Sequence, residues 1–331
     1  MRIELIPARQ LSAELRTRWS ATQTAQPELA SPFFCPQFTE LVAAYHDDVL
    51  VALLENGGEI GFFPFQLTGI RSAQAPGGKL CDYQGVIAPA GLQWTGEELL
   101  SGCHLDSYRY KRMLPRQIQF SRYHTAFSNS AIMEIQQGFD VYSRRVEISG
   151  SAVLKKVALS RKKLERDHGP VKYAANCVDP EVLDWLLASK SAQYRRTGLA
   201  DQFQPQWVTS LLRRLHAISE SDFGGMLSVL WAGDQIAAAH LGLRARHVLH
   251  YWFPCYSVTL RNYSPGLILL SEMARSASEC GISVIDLGRA DAPYKRRFMT
   301  GGVEIAEGVA ELATASEREQ AYCAHTSGVH T

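Results

Sequence analysis

Apolar positions in the second half of the chain fall into short alternating runs separated by stretches of helical period. Val171–Cys177 is a strand candidate, and Pro180 opens a helix with Val182, Trp185, Leu186 and Ser189 on one face and Gly198 as its C-cap. Trp207–Ile218 is a second helix that turns Leu211, Leu212 and Leu215 inward. Three strands follow, Met226–Trp231, Gln235–Leu243 and His247–Phe253, the first two joined by the turn Ala232-Gly233-Asp234. Pro265–Cys280 is a helix stopped by Gly281, Ser283–Leu287 a short strand, Tyr294–Phe298 one or two helical turns, and Val303–Leu312 one or two strands. The predicted order is β-α-α-β-β-β-α-β-α-β.

The first half carries a weaker version of that order. Arg2–Ile6 reads as a strand, Leu11–Trp19 and Pro36–His46 as helices, and Val49–Glu55 with Glu59–Leu67 as a hairpin across Asn56-Gly57-Gly58. Cys81–Ala88 is the next strand and Gly96–Cys103 a short helix. A tandem repeat is therefore expected, divided near Ser143–Ser151, where Ser143-Arg144-Arg145 and Ser149-Gly150-Ser151 interrupt the apolar pattern. The expected domains are 1–147, 148–320 and a tail 321–331. Ser151–His168 reads as an amphipathic helix bridging the halves, with Leu154, Val157, Ala158 and Leu164 as its apolar stripe. Its charge is basic: Lys155, Lys156, Arg161, Lys162, Lys163, Arg166 and nearby Lys172 face only Glu165 and Asp167. This is a solvated face or a local surface for a polyanion.

Composition narrows the class. The 331 residues are 46% hydrophobic and 20% charged, with 25 Gly and 14 Pro, which excludes a disordered or collagen-like chain. Formal charge is +1, so no global field recruits DNA, RNA or an anionic membrane. No apolar run reaches the roughly 18 residues of a membrane span, and the start has no signal-peptide core. The 7 cysteines are scattered and never form C-x-x-C, so free thiols without a metal are expected. The expected setting is cytoplasmic, extending to a peripheral place at the inner membrane.

The segment Ala238–Phe298 resembles a known family. Its stretches Ala239-His240-Leu241-Gly242-Leu243, His250-Tyr251-Trp252-Phe253-Pro254, Tyr263-Ser264-Pro265-Gly266 and Tyr294-Lys295-Arg296-Arg297-Phe298 carry the likeness. Gln193-Tyr194-Arg195-Arg196-Thr197-Gly198 and Asp82-Tyr83-Gln84-Gly85-Val86 extend it. The chain resembles the GNAT-fold acetyltransferase-like proteins associated with bacterial cellulose and exopolysaccharide synthesis, relatives of the Fem-type peptidoglycan aminoacyl ligases. The resemblance implies an α/β fold of tandem GNAT-like (acyl-CoA N-acyltransferase) domains, each a mixed, mainly antiparallel sheet flanked by helices, the first degenerate and the second carrying the donor site. It implies acyl transfer, with acetyl-CoA or another acyl-CoA as co-substrate, to a sugar or lipid-linked saccharide, within or beside a polysaccharide synthesis complex. Aminoacyl transfer from charged tRNA and a catalytically silent scaffold are the alternatives.

Residue chemistry supplies candidates for each step. Arg261-Asn262-Tyr263-Ser264-Pro265-Gly266 lies between a strand and a helix, with Ser264 as N-cap, Pro265 at the first helical position, and the amides of Gly266, Leu267 and Ile268 expected to face an anion. In GNAT enzymes the loop R/Q-x-x-G-x-G/A holds the donor pyrophosphate; Arg261 and Gly266 match it, while Ser264 stands at its first glycine and Pro265 removes one amide. Thiolate release needs a proton donor, and the resemblance gives that place to Tyr294. His240, His250 and Asp286 are candidate bases, with Asp291 behind them. His250 and Trp252 share one strand face, opposite Tyr251 and Phe253. Each histidine reads equally as a hydrogen-bonded core residue. Gln193, Arg196, Lys295, His250 and Trp252 are the candidate acceptor contacts.

Overall fold

The computed structural model describes residues 1–218 and 222–312. The expected tail, 321–331, lies outside them. In chain order the elements are β1 (Arg2–Pro7), α1 (Ala13–Thr24), α2 (Pro36–Ala43), β2 (Val49–Asn56), β3 (Glu59–Leu67), β4 (Ser72–Gln74), α3 (Gly96–Gly102), β5 (Ser107–Met113), β6 (His124–Glu134), α4 (Phe139–Ile148) and α5 (Val153–His168). Then come β7 (Val171–Ala174), α6 (Pro180–Arg196), α7 (Gln206–His216), β8 (Phe223–Ala232), β9 (Gln235–Ala245), β10 (Val248–Tyr256), α8 (Pro265–Ser276), β11 (Val284–Arg289), α9 (Pro293–Phe298) and β12 (Gly301–Glu311).

Two compact units share these elements. Among the described residues, the first takes 1–25, 42–127 and 305–312; the second takes 26–41 and the described part of 128–304. The first unit orders its strands β1-β2-β3-β4-β5-β12, antiparallel except for the parallel pair β4–β5. The second orders them β7-β8-β9-β10-β11-β6, antiparallel except for the parallel pair β10–β11. Both units thus repeat one six-strand plan, but each draws its sixth strand from the other half of the sequence. The stretch 143–151, expected as the junction, lies inside the second unit, where 143–148 form the end of α4 and 149–151 lead towards α5.

Local chemistry explains where the expected elements hold and where they do not. The β2–β3 hairpin turns at Gly57 and Gly58, both at positive φ, as its sequence requires. Cys81–Ala88 is not a strand: it makes only isolated bridges, Phe62 to Ile87 and Gln84 to Met113. The Gln117 carboxamide takes both backbone groups of Val86, accepting from its N–H at 2.9 Å and donating to its C=O at 2.8 Å. A side chain there replaces the ladder that a neighbouring strand would supply. In the second unit, α8 buries Ile268, Leu269, Leu270, Met273 and Ala274, packing on α5 and the sheet. Truncating one of these leucines would cost about 2–5 kcal/mol. This anchoring holds the start of α8 fixed against the end of β10.

Candidate functional site

The second sheet opens where β10 and β11 part. Their parallel register covers only Val248–His250 against Val284–Asp286. Beyond it β10 bulges against β9 between His250 and Phe253, and the β11–β6 ladder is interrupted between Asp286 and Arg289. A pocket of about 410 Å³ lies in this region. Its lining comes from α6 (Lys190, Gln193), the end of β10 (Tyr251, Pro254, Cys255, Tyr256), Arg261, the start of α8 (Ser264–Leu267) and Tyr294. Six of the sequence candidates meet there: Gln193, Arg261, Ser264, Gly266, Leu267 and Tyr294.

The start of α8 differs from its sequence reading in two respects. Ser264 makes no side-chain cap; it sits at φ 53° and ψ 50°, in the left-handed region. It therefore supplies by strain the conformation that glycine would supply freely. The Leu267 and Ile268 amides do not face outward, since both donate to the Ser264 carbonyl, at 3.0 and 3.2 Å. Ile268 is buried, outside the pocket lining. The Gly266 amide makes no hydrogen bond to a described residue, and Pro265 has no N–H to offer. A Cβ at Gly266 would meet only Tyr256, at 3.6 Å, so the backbone is open to close approach. Arg261, exposed, makes no ion pair with a described residue. One amide and one guanidinium at a helix N-terminus fit a phosphate group.

Tyr294 and Lys190 also line the pocket. Burial, with Asp291 nearby, raises the Tyr294 phenol to about 12, so it is a neutral proton donor at physiological pH. Tyr251, deeper still, is pushed well above the ordinary tyrosine value by burial. Lys190 was not among the sequence candidates. Its ammonium donates to the Pro254 carbonyl at 3.0 Å and to Gln193 Oε1 at 3.3 Å, and lies 5.3 Å from the centre of the Tyr194 ring. Burial lowers its pKa; Cys255 opposes that effect and Lys295 adds to it. The inward face of α6 is Leu183, Leu186, Leu187 and Tyr194, and Lys190 falls in that stripe. A lysine in register with buried leucines was the signal available in the sequence.

The candidate bases lie elsewhere. His240 is fully buried and absent from the pocket lining. Its ring stacks on Tyr251, centroids 4.2 Å apart, and its Nε2 accepts the Trp252 N–H at 3.1 Å. Trp252 sits in the β10 bulge, where its amide has lost regular pairing, and the imidazole satisfies it. Gly242 makes room: a Cβ there would lie 2.7 Å from His240 Cε1. Burial first, then His250 and Lys190, hold the His240 pKa well below 6.5. His250 and Asp286 are the last paired residues of the parallel register, with His250 Nδ1 3.8 Å from Asp286 Oδ2. Asp286 Oδ1 accepts from the Ser130 hydroxyl at 2.5 Å and the Gly288 N–H at 2.8 Å. Phe33, from the turn Pro32–Phe34, packs edge-on to both His250 and Trp252. Arg196 lines a neighbouring pocket of about 170 Å³ that shares Gln193, Cys255 and Tyr256 with the larger one. Lys295 donates to the Arg289 carbonyl at 3.0 Å.

Residues 151–296 match the profile of the acetyltransferase (GNAT) domain family. Among curated proteins no sequence matches significantly. Solved structures match across nearly the whole chain. FemX superposes with a TM-score of 0.61 at 10% identity, over 96% of this chain and 99% of that one. The C-terminal domain of an assigned lysylphosphatidylglycerol synthetase from Agrobacterium fabrum gives 0.56 at 13%, over 95% and 96%. A conserved protein of unknown function from Bacteroides thetaiotaomicron gives 0.54 at 10%, over 90% and 97%. At such identities these likenesses establish the fold alone. It is a tandem GNAT-like fold, mixed and mainly antiparallel in each unit.

Proposed function

We propose that the second unit is an acyltransferase that takes an acyl group, acetyl foremost, from acyl-CoA and passes it to an amine or hydroxyl of a saccharide or lipid-linked saccharide. One observation carries the donor half: the opening beside β10 brings Arg261, the free Gly266 amide and the Tyr294 phenol into one pocket. Arg261 and the Gly266 N–H bind the pyrophosphate, and open backbone at Gly266 lets it approach. Tyr294, neutral because its pKa is raised, donates a proton to the departing thiolate, and the proton that the acceptor loses on attack restores the phenol through solvent. His240 keeps the β10 bulge in shape by holding the Trp252 amide, a positioning role rather than proton abstraction. The saccharide acceptor rests on the sequence resemblance of Ala238–Phe298.

Aminoacyl transfer from charged tRNA is the second reading, favoured by the exposed Lys156, Lys162 and Lys163 on α5 and by the structural likeness to FemX. Calorimetry with acetyl-CoA, followed by thiol release with saccharide acceptors, tests the first reading. Binding of charged tRNA without binding of acetyl-CoA would overturn it in favour of the second. Binding of neither leaves the scaffold.

A further inference from the structure

Lys190 is a cation in a pocket whose described lining contains no acid. Among the described residues, the lining of the 410 Å³ pocket carries Lys190 and Arg261 but no aspartate or glutamate. Lys190 makes no ion pair with a described residue; its ammonium is held by two neutral oxygens, Pro254 O and Gln193 Oε1, and by the face of Tyr194. These contacts fix its position without cancelling its charge. Such an arrangement is unfavourable in isolation, because a half-buried ammonium is desolvated without a counter-ion. The helix pattern makes the choice pointed: this position follows Leu183, Leu186 and Leu187 on the buried face, where an apolar side chain would pack at no electrostatic penalty.

We propose that Lys190 is a specificity residue that binds an anionic group, a carboxylate or phosphate monoester, on the acyl acceptor. The inference rests on the acyltransfer reading of this pocket and narrows its acceptor to one charged close to the nucleophile. Arg261, at the start of α8, serves the donor; Lys190, held on α6 against the Pro254 carbonyl near the end of β10, serves the acceptor. The bound anion supplies the counter-charge that the protein omits, and neutral analogues leave the ammonium desolvated and unpaired.

The test uses the full chain saturated with CoA, so that the Arg261 end is filled. Three probes are titrated while the lysine side-chain amines are followed by NMR: N-acetylglycine, methyl phosphate and the neutral N-acetylglycinamide. Lys190→Arg identifies the Lys190 signal. At least one anionic probe should bind roughly ten-fold or more tightly than the amide, and whichever does so names carboxylate or phosphate as the group. That preference should vanish in Lys190→Met, whose apolar side chain suits the buried stripe and keeps the fold, and persist in Lys190→Arg. Equal binding of all three probes, including no binding of any, overturns the proposal. So does a preference that survives in Lys190→Met, or a loss of CoA affinity there as large as that of Arg261→Ala, which would assign Lys190 to the donor. If CoA fails to bind the wild type, the donor reading falls, while the same titration of the unliganded chain still judges Lys190.

Discussion

Replacing His240 separates a positioning imidazole from a catalytic base. His240→Leu keeps the apolar contact with Tyr251 but leaves the Trp252 N–H at the bulge without an acceptor. An unsatisfied buried amide costs about 1–3 kcal/mol, so the variant should be less stable by that amount near neutral pH. A second signature comes from proton linkage. The folded-state pKa lies well below the ordinary 6.5, so from pH 6.5 downward the unfolded chain binds the proton that the folded chain refuses. The stabilisation is complete above the unfolded pKa and is lost as the pH falls. Between about pH 7 and about pH 5.5 the wild type should therefore lose stability on the order of 1 kcal/mol that His240→Leu does not lose, and the gap between them should narrow. Urea denaturation at both pH values measures it. A leucine variant as stable as the wild type at neutral pH, or a gap indifferent to pH, would refute the assignment of His240 to the bulge amide.

Other consequences are open to direct measurement. Tyr294→Phe should preserve the melting temperature and acetyl-CoA affinity while lowering turnover by roughly 10²–10⁴-fold, and full activity in a stable variant would remove the phenol from the mechanism. Arg261→Ala should weaken acetyl-CoA by about 1.5–3 kcal/mol in calorimetry, with an unchanged affinity excluding this loop as the donor site. Gly266→Ala meets only Tyr256, at 3.6 Å, so it should fold normally, gain about 0.5–1 kcal/mol from helix propensity, and lose acetyl-CoA affinity if the backbone is approached closely. Ser264→Gly should be neutral to slightly stabilising, since relief of a left-handed serine (about 1 kcal/mol) offsets the added chain entropy; a clear drop in melting temperature would show that the serine is not strained.

What the sequence revealed was governed by how local each determinant is. Asn56-Gly57-Gly58 and Ser264-Pro265-Gly266 encode their turns within a few residues, and both the β2–β3 hairpin and the start of α8 are where the sequence puts them. β5 is absent from the expected strands although Tyr108 and Tyr110 alternate with Arg109 and Lys111, the period of a half-buried strand. Cys81–Ala88 has strand composition, but its backbone is claimed by Gln117, some thirty residues away, which no local pattern records. At the site, Arg261, Gly266 and Tyr294 could be found because a motif names them. Lys190 is conspicuous only against the burial of its own helix face, and the role of His240 depends on a bulge in another strand. The two predicted α8 amides fail for a simple reason: the carbonyl of the N-cap Ser264 accepts both, the Ile268 N–H in the ordinary first bond of the helix.

The exchanged sixth strands have a consequence for synthesis. β5 pairs with β12 across roughly 200 residues of sequence, a separation that makes the first unit a high-contact-order structure although most of its chain emerges early from the ribosome. Until β12 is made, the β5 edge carries unpaired backbone groups while residues 128–304 of the second unit are translated behind it. The N-terminal half should therefore linger as an aggregation-prone nascent species in need of chaperone cover. A gene cut near codon 147 would make this condition permanent, leaving one fragment without β12 and the other without β6. Co-expression of the two fragments, each donating the strand the other lacks, is the circumstance in which such a split protein could still assemble.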